Sequence, residues 1–136
     1  MPTGFLGLGH LGKAIAGRLI NCGVELVVYN RTAEKAEGLN ARRADSIDEM
    51  LLDCDTVFVC LFDSRAVAEL LPQILALNPQ GRLIIDLTTN HHRQVLDFHR
   101  KCIGAGAAYL EAPVLGSVIP ASRGELTILV SGEQRE

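Results

Sequence analysis

Short apolar runs alternate with amphipathic segments along the whole chain. The first run, over about 3–8, precedes a segment with Leu11, Ile15 and Leu19 on one face, and this spacing predicts a helix. Further strands are predicted over 24–29, 41–44, 56–61, 82–87, 107–111 and 126–130, with 41–44 at an edge. Strands that alternate with helices in this way predict βαβ units and a mainly parallel, doubly wound α/β sheet.

Several helices are predicted to begin at capping residues. Ser46 and Glu49 form a capping-box pattern, and Asp63 or Ser64 is expected to cap the helix after the fourth strand. Ser131 with Gln134 repeats the capping-box pattern and predicts a helix that starts in 132–136 without being completed. We therefore expect residues 1–136 to be one domain, truncated before a further domain of a longer protein.

Composition excludes several kinds of partner. The 136 residues are enough for one domain with a full-sized core. A net charge of −3 without clustered Lys and Arg argues against nucleic-acid binding, and no apolar run is long enough to span a membrane. The four cysteines lack C-x-x-C spacing, which is typical of reduced thiols, so the expected location is the cytoplasm.

The first strand leads into a glycine motif. Gly7-Leu8-Gly9-His10-Leu11-Gly12 has the spacing G-x-G-x-x-G between a predicted strand and a predicted helix. In this context the first glycine permits a tight turn, the second lets a pyrophosphate approach the backbone, and the third allows close helix packing. The helix N-terminus offers free N–H groups to the phosphates. The motif predicts a Rossmann-type dinucleotide-binding domain.

The second strand ends at Asn30-Arg31-Thr32. An NAD-specific domain places an acid here to bind the ribose 2′-hydroxyl, and this chain has none. Arg31 can bind a 2′-phosphate through two parallel hydrogen bonds, and Thr32 can add a hydroxyl or cap the next helix. The turn therefore favours NADP over NAD. The alternative interpretation is a surface arginine in an ordinary turn.

Ligands bind at the carboxyl ends of parallel strands, so we expect the turns after strands one, two, four, five and six to line one crevice. His10 is expected to face solvent in the glycine turn. His91, His92 and His99 are not spaced as converging metal ligands, so no metal site is predicted.

The sequences after the later strands extend the pattern. They are Leu61-Phe62, Asp86-Leu87-Thr88-Thr89, Glu111-Ala112-Pro113-Val114-Leu115-Gly116-Ser117 and Gly124-Glu125-Leu126-Thr127-Ile128. Together with the two earlier turns they resemble the β-hydroxyacid dehydrogenases, the family of 3-hydroxyisobutyrate dehydrogenase and the glyoxylate/succinic semialdehyde reductases. The resemblance covers essentially the whole chain and matches the N-terminal domain of that family.

The resemblance implies roles for particular residues. It implies that Leu61, Phe62 and Thr89 contact the cofactor, with Phe62 in place of the Pro common in the family. It also implies a substrate-binding loop at Leu115, Gly116 and Ser117, with Leu115 in place of a Ser. Backbone N–H groups of Gly116 and Ser117 could hold a substrate carboxylate.

The reaction implied by the resemblance is hydride transfer between NADP(H) and a small hydroxyacid or semialdehyde-acid. The catalytic Lys of the family lies in a second, all-helical domain that also forms most of a homo-oligomer interface. Lys13, Lys35 and Lys101 are the only lysines here, and none lies on an equivalent helix. We expect this chain alone to bind the cofactor without turnover, and to expose apolar surface where the second domain would cover it.

Two other functions remain open. The chain could be a non-catalytic NADP(H)-binding module, such as a sensor, which the Leu115 substitution and the missing Lys favour. It could also belong to an imine reductase, since those enzymes are similar to this family in their N-terminal domain.

Overall fold

The computed structural model describes residues 1–132. Its strands are β1 (Thr3–Leu6), β2 (Leu26–Tyr29), β3 (Arg42–Arg43), β4 (Thr56–Val59), β5 (Leu83–Asp86), β6 (Ala108–Glu111), β7 (Val114–Leu115) and β8 (Thr127–Ile128). Its α-helices are α1 (His10–Asn21), α2 (Ile47–Asp53), α3 (Ser64–Ala76), α4 (His92–Gly104) and α5 (Val118–Arg123), with a 3-10 helix at Ala33–Ala36.

Six parallel strands form the main sheet in the order β3-β2-β1-β4-β5-β6. The order reverses between β1 and β4, which are neighbours although two strands separate them in the chain. Phe5 of β1 pairs with Val28 on one side and Phe58 on the other. The prediction of a doubly wound α/β domain is therefore confirmed, with β3 at an edge as predicted. Crevices at such a reversal are where these sheets bind ligands.

The core has two layers because alternate residues of each strand point to opposite faces of the sheet. On one face Leu6, Val57 and Val59 pack with residues of α2, α3 and α4, among them Met50 and Phe98. On the other face Phe5 and Val28 pack with Ala16 of α1. The helices thus cover both faces, and the carboxyl edge of the sheet stays open between them.

Helix starts follow the predicted caps. The Ser46 hydroxyl accepts the Glu49 N–H at 3.0 Å, and the Asp63 carboxylate accepts the Ala66 N–H at 2.9 Å. Asp63 is therefore the cap, while Ser64 is buried and accepts the His91 N–H at 2.8 Å. Thr32 precedes the 3-10 helix but makes no capping hydrogen bond with its side chain.

The carboxyl-terminal part of the chain differs from the prediction. The strand predicted over 126–130 is only Thr127–Ile128, and it pairs antiparallel with β7 in a separate two-stranded sheet. Helix α5 was not predicted. Ser131 exchanges two backbone hydrogen bonds with Glu111, at 2.8 and 2.9 Å. The helix start predicted in 132–136 falls, beyond Gly132, outside the described residues.

Arg82 is a buried cation that joins two helix ends. Its side chain is 3% exposed, and its guanidinium donates to the carbonyl oxygens of Leu51, Ile74 and Leu77. Those carbonyls lie in the last turns of α2 and α3, where no intrahelical donor remains. The positive charge also interacts favourably with the negative, C-terminal ends of the two helix dipoles.

None of the described helices is both long and apolar enough to cross a membrane.

Candidate functional site

A cleft of about 650 Å³ opens at the point where the strand order reverses. The turns after β1, β2 and β4 line it, together with side chains of α3. From the predicted site it brings together Gly7, Gly9, His10, Leu11, Gly12, Asn30, Arg31, Thr32, Leu61 and Phe62.

The first turn brings the backbone of α1 close to β1 and β4. Gly7 has φ +97°, and a Cβ there would lie 2.1 Å from the Cys60 carbonyl oxygen. A Cβ on Gly12 would lie 2.1 Å from the Gly7 carbonyl oxygen, so the helix and the turn touch through backbone atoms. A Cβ on Gly9 would meet nothing within 4 Å. The second glycine therefore leaves open space at the start of α1, as a bound pyrophosphate requires.

The N-terminus of α1 carries no acidic residue in its first turn, and its N-cap is Gly9, which has no side chain to satisfy the first N–H groups. The Lys13 N–H is the first to bond within the helix, to the Gly9 carbonyl at 2.8 Å. Free N–H groups and a positive dipole end are what a phosphate needs, so the residues present fit a dinucleotide. His10 is exposed beside this end.

Leu8 differs from the other residues of the glycine motif. Its side chain is 1% exposed and packs in the core beside α1, so it does not line the cleft. Its N–H group donates to the Asn30 side-chain oxygen at 2.8 Å. The Asn30 amide nitrogen donates in turn to the Thr32 carbonyl at 3.0 Å. Asn30 thus fixes the second turn to the first, a role that only the structure shows.

Arg31 and Thr32 are exposed at the end of β2 and line the cleft. Within residues 1–132 no carboxylate lies within ion-pair distance of the Arg31 guanidinium. Lys35 lines the cleft as well, and sequence reasoning missed it. The signal was its position one turn after Thr32 on the predicted helix.

A further part of the cleft lining comes from α3 and the residues before it. Ala66, Leu70 and Gln73 face the cleft from successive turns of α3. Phe62 lies just before the helix, and its side chain is 95% exposed although it borders the cleft. Glu69 of α3 lines the cleft as well, so this side presents apolar, polar and acidic side chains.

The cleft is smaller than the crevice that the sequence predicts, because the turns after β5 and β6 do not line it. These two strands lie on the far side of β4 from the glycine turn. Thr89 is exposed after β5. Leu115, Gly116 and Ser117 are exposed at the end of β7 and before α5, and Gly116 has φ +136°.

Cys60 is the one thiol among the residues that line the cleft. Burial raises the pKa of the Cys60 thiol to about 11, and the charge of Asp86 acts in the same direction. The thiol is therefore protonated at neutral pH and is not poised as a nucleophile. The described part of the chain contains no group of three or more His, Cys, Asp or Glu residues that could hold a metal ion.

Curated relatives match nearly the whole chain. It is 34% identical over 134 residues to the cytokine-like nuclear factor N-PAC of Mus musculus, covering 96% of this chain and 24% of that protein. It is 32% identical over 140 residues to glyoxylate/succinic semialdehyde reductase 1 of Arabidopsis thaliana, covering 98% of this chain and 48% of that protein. The chain thus spans between about a quarter and about half the length of these relatives.

Solved structures match the fold over a similar range. The 3-hydroxyisobutyrate dehydrogenase of Mycobacterium tuberculosis, solved with L-serine, has a TM-score of 0.92 at 25% identity, over 98% of this chain and 47% of that one. A reductive aminase from Aspergillus terreus, solved with NADPH4, cyclohexanone and allyl amine, has a TM-score of 0.85 at 28% identity, over 96% and 47%.

Residues 2–136 match the family model described as the NAD binding domain of 6-phosphogluconate dehydrogenase. The fold, the glycine turn and the relatives agree with this match. The chain belongs to that family and is an NAD(P)-binding domain of the kind found in oxidoreductases that resemble hydroxyacid dehydrogenases.

Proposed function

We propose that this chain is the NADP(H)-binding domain of an oxidoreductase that transfers hydride between NADP(H) and a small β-hydroxyacid or semialdehyde-acid. The observation that carries the cofactor proposal is Arg31, exposed on the cleft at the end of β2 without an acidic partner in residues 1–132. An acid at this place would repel a 2′-phosphate, whereas a guanidinium binds it. The dinucleotide, when bound, supplies the hydride.

Different residues of the cleft bind different parts of the dinucleotide. The glycine turn and the start of α1 hold the pyrophosphate through N–H groups. Arg31, Thr32 and Lys35 hold the 2′-phosphate, with Asn30 fixing the turn that carries them. Ala66 and Leu70 of α3 pack against the adenosine.

The other half of the site follows from the resemblance. Leu61 and Phe62 contact the nicotinamide, and Thr89 contacts the cofactor. Leu115, Gly116 and Ser117 form the substrate-binding loop, where the backbone N–H groups of Gly116 and Ser117 hold the substrate carboxylate. The proton donor is a Lys outside this chain, so the chain alone binds without turnover. The whole protein is a homo-oligomer in the cytoplasm, where free cysteines such as the four found here stay reduced.

Two observations favour second candidates. The likeness to N-PAC, which is named as a nuclear factor and not as an enzyme, favours a non-catalytic NADP(H)-binding module. The likeness to a reductive aminase favours an imine reductase-like reaction on the same domain. Both candidates keep the same cofactor and differ in what the rest of the protein supplies.

The test is a titration of the chain with NADPH and with NADH, followed by the fluorescence of the bound cofactor. The chain has no Trp, so its own emission is weak. We expect NADPH to bind at least about 10-fold more tightly than NADH, because the 2′-phosphate gains charge-assisted hydrogen bonds. Arg31→Ala should remove this preference, and Arg100→Ala, at an exposed position on α4, should leave it unchanged.

Equal affinity for the two cofactors would overturn the NADP assignment and leave the dinucleotide site in place. Failure of the unaltered chain to bind either cofactor would overturn the dinucleotide site itself.

A further inference from the structure

A buried polar cluster lies where β5 and β6 end. Its centre is Asp86, which is fully buried. One carboxylate oxygen accepts the Tyr109 hydroxyl at 2.7 Å and the Asn90 amide at 2.8 Å. The other accepts the Thr88 N–H at 3.0 Å. Residues from two adjacent strands and the turn between β5 and α4 are thus held by a single carboxylate.

Thr88 connects this cluster to the cleft. Its side chain is 2% exposed, and its hydroxyl oxygen accepts the Leu61 N–H at 3.0 Å. The backbone ladder between β4 and β5 ends just before this point, where the Leu87 N–H donates to the Val59 carbonyl. The Thr88 hydroxyl therefore replaces the next backbone acceptor. It fixes Leu61, which lines the cleft and directly precedes Phe62 at the cleft border.

The chemistry of the cluster is costly for a purely structural core. A buried carboxylate is usually paired with a cation, yet within residues 1–132 no Lys, Arg or His lies within ion-pair distance of Asp86. Neutral donors alone satisfy it. Such an arrangement gives up stability relative to an apolar core and gains a defined geometry, because each donor must point at one carboxylate.

The charge of Asp86 also keeps its main partner in the donating form. Burial raises the pKa of the Tyr109 phenol, and the carboxylate raises it further. The Tyr109 hydroxyl therefore keeps its proton at neutral pH and donates it to the Asp86 carboxylate.

We propose that Thr88 is a positioning residue for the dinucleotide cleft: its hydroxyl locks the Leu61–Phe62 turn against β5, and Asp86 holds Thr88 in the orientation that makes this possible. Thr88 itself is buried and does not line the cleft. This inference rests on the proposed function, since the position of the turn affects binding only if a dinucleotide occupies the cleft.

The experiment compares Thr88→Val, which removes the acceptor at nearly constant shape, with Thr88→Ser, which keeps it. We expect Thr88→Val to raise the Kd for NADPH about 10-fold, since the Leu61 N–H loses its partner and the turn loosens. Thr88→Ser should restore the Kd to within about twofold. Val95→Ala, in the core on α4 away from the cleft, provides a matched loss of stability and should leave the Kd unchanged.

A second measurement needs no ligand. Amide hydrogen exchange at Leu61 should be at least about 10-fold faster in Thr88→Val than in the unaltered chain, and normal in Thr88→Ser. A Thr88→Val chain that is less stable but binds NADPH normally would overturn the positioning role, as would an unchanged Leu61 amide. If the unaltered chain binds no dinucleotide, the proposed function and the effect on binding both fail, while Leu61 exchange still shows whether the lock exists.

Discussion

Two alanine substitutions in the glycine turn should separate folding from ligand binding. Gly9 and Gly12 are three residues apart, and each contributes to the start of α1. Their surroundings differ: a Cβ on Gly9 would meet nothing within 4 Å, whereas a Cβ on Gly12 would lie 2.1 Å from a carbonyl oxygen. Gly9→Ala should therefore lose the ligand and keep the fold, whereas Gly12→Ala should perturb the fold itself.

The magnitudes follow from these contacts. Gly9 has φ −63° and ψ −177°, which alanine adopts without strain. The weaker N-cap of alanine is offset by the lower entropy of the unfolded chain, so the free energy of unfolding should change by less than about 0.5 kcal/mol. In Gly12→Ala the new Cβ would lie 2.1 Å from the Gly7 carbonyl oxygen, and ordinary contact begins at 3.4 Å, so the helix must withdraw by more than 1 Å. Overpacking of this kind costs about 1–3 kcal/mol.

Gly9→Ala should weaken NADPH binding directly, at the pyrophosphate. The Gly9→Ala methyl occupies the space into which the pyrophosphate would come, so at least one charge-assisted hydrogen bond, worth about 1.5–3 kcal/mol, is lost. This corresponds to a rise in the Kd for NADPH of at least about 10-fold. Urea unfolding gives the stability of each variant, and titration with NADPH gives the affinity.

Gly9→Ala with normal NADPH affinity would refute the placement of the pyrophosphate at this turn. Gly12→Ala with the stability of the unaltered chain would refute the close backbone contact between α1 and the turn.

Four further predictions concern the rest of the domain. Arg82→Met should lower the free energy of unfolding by about 3 kcal/mol, because three carbonyls at the ends of α2 and α3, two of them in buried hydrogen bonds, lose a charged donor. Arg43→Met, at an exposed site, should change it by less than about 0.5 kcal/mol in the same urea titration. Equal effects of the two substitutions would contradict the capping role. Iodoacetamide at pH 8 should modify exposed Cys22 and spare Cys60, whose raised pKa keeps it a thiol; mass spectrometry of the folded chain decides, and rapid loss of Cys60 would contradict its burial. Because burial raises the pKa of Cys60 in the folded chain, the protonated thiol contributes in full to the stability of the fold below its ordinary pKa of 9.0. This contribution should be lost as the pH rises from 9.0 to about 11, and thermal unfolding at several pH values measures the loss. The chain alone should self-associate, since the side chains over 128–130 are at least 50% exposed and apolar, and a clean monomer in light scattering would count against this.

Much of the fold could be predicted because the main strands are buried on both faces. Val57 and Ile84 lie in runs that are apolar enough to predict a central strand from the sequence alone. The short elements after β6, such as α5 and β7, could not be predicted in this way. Helix α5 has only six residues and contains Pro120, so it shows no helical period. The partner of β8 depends on a pairing between distant segments, which periodicity does not specify.

The candidate site was predicted in part for a related reason. Residues within one motif, such as Gly7, Gly9 and Gly12, can be assigned to a site because their spacing in the sequence is characteristic. The contact between Asn30 and Leu8 joins residues 22 apart, and that between Tyr109 and Asp86 joins residues 23 apart. No local sequence pattern predicts contacts between residues so far apart in the chain. The division of the crevice at β4 likewise follows from the strand order in space, not from the order in the chain.

Asn30 also has a consequence for how this domain can change over evolutionary time or by design. Because its amide anchors the specificity turn to Leu8 on one side and to Thr32 on the other, the backbone frame does not depend on the side chains at 31 and 35. Those positions are exposed and can be exchanged without disturbing the glycine turn. On the proposed assignment of the 2′-phosphate site, we expect a switch between dinucleotides to need few mutations, provided that residue 30 keeps its amide.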